Sequence, residues 1–112
     1  MTRIVIRREG DRITALTAQG HAGSEAAGNN IVCAAVSSLM YTAANALESV
    51  AGILPVIDRD DRKALLGIQL PETCESHDAQ IILRTILQGL TDISQKYPKL
   101  VRITTEDGRT TV

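Results

Sequence analysis

The chain is 112 residues long, with 44% hydrophobic residues, 22% charged residues and a formal net charge of −1, a composition that fits one globular domain over residues 1–112 and is too short for two. Lysines and arginines are scattered, so the basic stripe of a protein that grips nucleic acid is missing. With no Trp or Phe, and only Tyr41 and Tyr97 as aromatics, the core is aliphatic, and pairing with a second copy would add buried area that so small a core lacks.

In chain order, residues 3–8 and 12–19 alternate apolar and polar side chains around the turn Glu9-Gly10-Asp11, which predicts a β-hairpin. Residues 20–30 hold three glycines and two asparagines with no large apolar side chain, which predicts a mobile loop. Asn29 or Asn30 is placed to cap a helix whose apolar positions Val32, Val36, Leu39, Ala43, Leu47 and Val50 keep helical spacing up to Gly52. Residues 53–58 and 64–70 read as a second hairpin around the charged turn 59–63, with Pro55 marking an edge or a bulge. Ser76 opens a second helix with Ala79, Ile82, Leu83, Ile86, Leu90 and Ile93 on one stripe, stopped by Pro98. Residues 100–105 form a last strand, and 106–112 a frayed tail. The order ββαββαβ predicts an α/β (α+β) two-layer sandwich of about five strands with two long helices on one sheet face.

The N-terminus lacks the apolar region of a signal peptide, and no apolar run approaches the roughly 20 residues of a bilayer span. A cytoplasmic protein with no membrane partner is the expectation. In a reducing compartment Cys33 and Cys74 are read as reduced thiols, and two cysteines without matched histidines make a poor zinc site. Asp58, Asp60 and Asp61 look like a solvated turn, so neither metal nor cofactor is expected.

The chemistry is concentrated in Gly20-His21-Ala22-Gly23 and, ten residues after Gly23, Cys33 within Asn30-Ile31-Val32-Cys33-Ala34-Ala35-Val36-Ser37. This reading puts Cys33 in the first turn of the helix, where amides without intrahelical partners and the helix dipole favour an anion, and lets the loop bring His21 to it as a base. A buried cysteine acting as a small hydrophobe is the competing account. Ser37, four residues on, lies on the same helix face and either faces the site or bonds back to the carbonyl one turn earlier. A second pair, Cys74 with His77, is set aside because the acidic segment 71–76 opposes thiolate formation.

These two blocks, at that distance, resemble the signature of the ribosomal-processing cysteine protease family (Prp), and the resemblance extends over the whole chain. It implies a small α/β homodimeric protease that removes a short N-terminal extension from the precursor of large-subunit ribosomal protein twenty-seven, cutting after an aromatic pair. It places His21 as general base and Cys33 as nucleophile, with Ser37 near the bound substrate. Gly20 and Gly23 match the glycines flanking the histidine, and 23–29 matches a segment that orders over substrate. Asn30 stands where many members carry Asp; it can cap a helix but cannot orient an imidazolium as a carboxylate does. The amides of the first helical turn would hold the oxyanion. The alternative is a non-catalytic, dimeric, ribosome-associated binding module.

Overall fold

The computed structural model describes residues 1–20 and 27–107, with backbone only for 27–30. Its elements are β1 (Thr2–Glu9), β2 (Arg12–Gln19), α1 (Ala27–Ser49), β3 (Val56–Asp60), β4 (Leu65–Gln69), α2 (His77–Lys96) and β5 (Val101–Asp107), in the order ββαββαβ. The five strands form one sheet in the order β3-β4-β2-β1-β5. β1 pairs with β5 in parallel, and the other neighbours are antiparallel.

This strand order explains why both helices share one face. β2 and β3 run the same way, as do β4 and β5, so α1 and α2 are each crossovers between parallel strands. The two crossovers move in opposite directions along the sheet and start from antiparallel strands. Right-handed connections of that kind put both helices on the same side.

Under them, Ile4, Ile6, Ile13, Leu16, Ala18 and Ile68 present the inner face of the sheet. α1 buries Val32, Val36, Met40, Ala43 and Leu47 against it, and α2 buries Ala79, Leu83, Ile86 and Leu90. The core is aliphatic, as composition requires. Where the helices meet, a Cβ on Gly89 would stand 3.0 Å from a methyl of Leu39, so glycine sets their separation. The Ser76 hydroxyl accepts the Ala79 N–H at 3.1 Å and caps α2 as expected, and Tyr97 closes the helix one residue before Pro98.

Several boundaries differ from the sequence reading. α1 starts at Ala27, so Asn29 and Asn30 lie inside the helix instead of capping it. Ala27 is a strong helix former, and the packed Val32–Leu47 stripe carries the weak run Gly28-Asn29-Asn30 along with it. Val50, expected on the apolar stripe, is 70% exposed. The predicted strand 53–58 begins only at Val56, because the Ile53 N–H is spent on the Leu47 carbonyl at 2.8 Å, closing the end of α1. β3 then runs on to Asp60, moving the turn from 59–63 to 61–64. The last strand reaches Asp107, and the rest of the predicted frayed tail lies outside the described residues. The expectation of no apolar run also needs correction: Ile31–Ser49 has the length and a mean hydropathy (1.3) of a membrane-crossing helix, and in this fold its apolar stripe is part of the core.

Candidate active site

Three separated pieces of chain meet at Gly20. Its backbone stands at φ +90°, and a Cβ there would come within 2.7 Å of the Met1 carbonyl oxygen, so the position accepts only glycine without rearrangement. Its N–H donates to the Ala64 carbonyl at 3.1 Å, and its own carbonyl accepts the buried Thr2 hydroxyl at 3.4 Å. The end of β2 is thereby tied to the start of β1 and to the β3–β4 turn. His21 is the next residue in sequence; His21 and Gly23 lie outside the described residues.

Gly20 borders a pocket of about 270 Å³. Thr2 and Ala18 contribute from β1 and β2. Cys33, Val36, Ser37, Met40 and Tyr41 contribute from α1, and Arg59, Asp61, Ala64, Leu65 and Leu66 from the second hairpin. The α1 residues fall at intervals of three and four, which gives the pocket one continuous helical wall. Cys33 is half-buried against the core, Ser37 is exposed one turn further on, and no disulfide joins Cys33 to Cys74. Of the residues picked out from sequence, the fold therefore gathers Gly20, Cys33 and Ser37 around one cavity.

The position of Cys33 within α1 is a correction. Counting from Ala27, it is the seventh helical residue and not part of the first turn. In a regular α-helix an amide at that position is committed to the carbonyl four residues back, and the amides without intrahelical partners are those of residues 27–30. The Cys33 N–H is therefore not one of the first-turn amides that the sequence reading offered to the oxyanion.

Sequence reasoning missed the far wall. Arg59 lies in β3 opposite Leu66 of β4, so the pair shares the sheet face that carries the helices. Asp61 accepts from Arg59 Nε at 2.9 Å. That hydrogen bond first, then the Asp61 charge and nearby Tyr41, raises the arginine's affinity for its proton. Asp60 is occupied differently: its carboxylate accepts the Arg62 and Lys63 N–H groups at 3.0 and 3.4 Å and shapes the turn. No spacing in the sequence could have found this wall, since only strand pairing brings Arg59 over α1. Cys74 and His77 line two different clefts elsewhere.

Comparison with known proteins supplies the family and the shared fold. The family model described as cysteine protease Prp matches residues 1–102. A ribosomal processing cysteine protease Prp of Staphylococcus aureus strain Mu50 is 31% identical over 100 residues, covering 89% of this chain and 92% of the relative. The crystal structure of the S. aureus ribosomal processing protease Prp with a substrate peptide superposes with a TM-score of 0.85 at 27% identity, covering 95% of this chain and 100% of that one. The same protease with a covalently linked product peptide gives a TM-score of 0.84 at 28% identity, with the same coverage. A pocket that holds a cysteine between a helix and the strand ends, in a fold shared with peptide-bound proteases and under a family match spanning nearly the whole chain, leads to one assignment: this chain belongs to the cysteine protease Prp family.

Proposed function

We propose that this protease removes a short N-terminal extension from large-subunit ribosomal protein twenty-seven, using Cys33 as nucleophile and His21 as base. The observation that carries the proposal is the shared pocket of Gly20, Cys33 and Ser37, with His21 following Gly20 in sequence. The S. aureus relatives bound to substrate and product peptides support a ribosomal protein as the substrate.

In this mechanism His21 accepts the Cys33 proton, and the thiolate attacks the scissile carbonyl. The tetrahedral intermediate collapses as His21 returns the proton to the leaving amine, which departs and leaves a thioester on Cys33. Water, deprotonated by His21, attacks the thioester; the carboxylate product leaves, and Cys33 regains its proton. Ser37, exposed one turn beyond Cys33 on the pocket wall, supplies a hydroxyl donor to a carbonyl of the bound peptide. Asn30 can accept or donate a hydrogen bond but adds no charge, so this is a two-residue mechanism. The same reading makes the enzyme a cytoplasmic homodimer, with bulky aromatic side chains entering the apolar part of the pocket.

The test is incubation of wild type, Cys33→Ala and His21→Ala with the co-encoded ribosomal protein bearing its extension, followed by intact mass spectrometry. Cleavage by wild type and by neither variant is the expected result. An uncut substrate that binds all three would make the chain a binding module and overturn the mechanism.

A further inference from the structure

The pocket extends well beyond its cysteine. Cys33 and Tyr41 are eight residues apart on α1, which at 1.5 Å per residue separates them by about 12 Å along the helix. An extended peptide advances roughly 3.3 Å per residue, so a substrate lying along this wall reaches Tyr41 three or four residues from the bond that is cut. At that end the cavity changes character. Arg59, within electrostatic reach of Tyr41, and Asp61 close it there, the only charged side chains among the described lining residues.

The chemistry of this closure is specific. Asp61 takes the Nε edge of the Arg59 guanidinium, which restrains the group and leaves its two terminal nitrogens, with four N–H donors, for another acceptor. Both side chains are largely exposed, at 57% and 80%, and an ion pair so exposed contributes little to folding stability. A cation held at the end of this cavity, and of little use to the fold, is suited to reading the substrate.

We propose that Arg59, oriented by Asp61 beside Tyr41, is a specificity-determining residue that takes a carboxylate or amide side chain of the peptide three or four residues from the scissile bond. The inference rests on the protease reading above and adds to it a second point of recognition. Arg59 discriminates by charge: a glutamate there gains a charge-assisted pair, glutamine a neutral hydrogen bond, and lysine meets a like charge.

The test uses fluorescent peptides spanning the cleavage site, with Glu, Gln, Lys or Leu at the third or fourth position on either side of the scissile bond. Cleavage is measured with the wild-type enzyme and Arg59→Gln, and binding by anisotropy with Cys33→Ala and the Cys33→Ala, Arg59→Gln double variant. The expected result is a preference for Glu over Lys of about tenfold or more at one of these positions, reduced to within about twofold by Arg59→Gln, retained in Arg59→Lys and enlarged in Asp61→Asn. Cleavage with the same Glu-to-Lys ratio in wild type and Arg59→Gln would overturn the inference and leave the protease reading intact. An Arg59-dependent binding preference without cleavage by wild type would sustain the inference and remove the protease reading. Neither binding nor cleavage would remove both.

Discussion

The Gly20 N–H donates to the Ala64 carbonyl at 3.1 Å, and both residues stand at positive φ, +90° and +48°. One hydrogen bond between two left-handed backbone positions thus joins the end of β2, where the segment leading to His21 begins, to the turn carrying Asp61. The two walls of the pocket are held in register by backbone geometry that few side chains tolerate.

Gly20→Ala is expected to be costly. A left-handed alanine costs roughly 1–2 kcal/mol, and its Cβ would lie 2.7 Å from the Met1 carbonyl oxygen, a backbone atom that cannot rotate away. We expect a loss of about 2 kcal/mol or more in urea denaturation, with cleavage falling further than the unfolded fraction explains. Wild-type stability and activity would show that the chain can leave Gly20 by another route.

Ala64→Gly should act in the opposite direction. Ala64 is the one non-glycine residue with positive φ among those described, and glycine adopts that conformation without the steric cost. Part of the gain is offset by the freer unfolded chain, so the expected increase is about 0.5–1 kcal/mol. Unchanged cleavage is expected alongside it. A lower denaturation midpoint would mean that the alanine methyl contributes more by packing than its backbone loses.

Ser37 and Ser38 make a matched pair, since both are exposed on α1 and only Ser37 lines the pocket. Removing one neutral hydrogen bond to substrate costs about 0.5–1.5 kcal/mol, so Ser37→Ala should lower kcat/KM by roughly threefold to tenfold. Ser38→Ala should leave it within twofold. Equal effects at both positions would assign the serines to the helix surface and take Ser37 out of substrate binding.

Ser76→Ala separates stability from activity. The hydroxyl caps α2 through the Ala79 N–H at 3.1 Å, a contact worth about 1 kcal/mol, and Ser76 lines a cleft other than the one at Cys33. An unfolding free energy lowered by that amount in urea denaturation, with unaltered cleavage, is expected. A comparable loss of kcat/KM under folding conditions would reveal coupling between α2 and the site.

The elements were legible because each carries a strong local signal. Period-two alternation marks β1 and β2, and in α2 a helical stripe begins at a serine cap and ends before Pro98. The start of α1 was not legible: Gly28-Asn29-Asn30 favours a cap by local preference, and only the burial of Val32 and Val36 below it makes helix the better state. That difference moved Cys33 from the first turn, where the sequence reading put it, to the second.

By itself the sequence determined the order ββαββαβ, the aliphatic core and the paired blocks around His21 and Cys33, because periodicity, capping and motif spacing act between residues close in the chain. Tertiary structure alone decided which side chains share the cavity with the cysteine. Arg59 is 26 positions from Cys33 in sequence and reaches the cavity because β3 pairs with β4 and β4 with β2, on the face that α1 covers. Strand order depends on long-range pairing, and no short stretch of sequence encodes it.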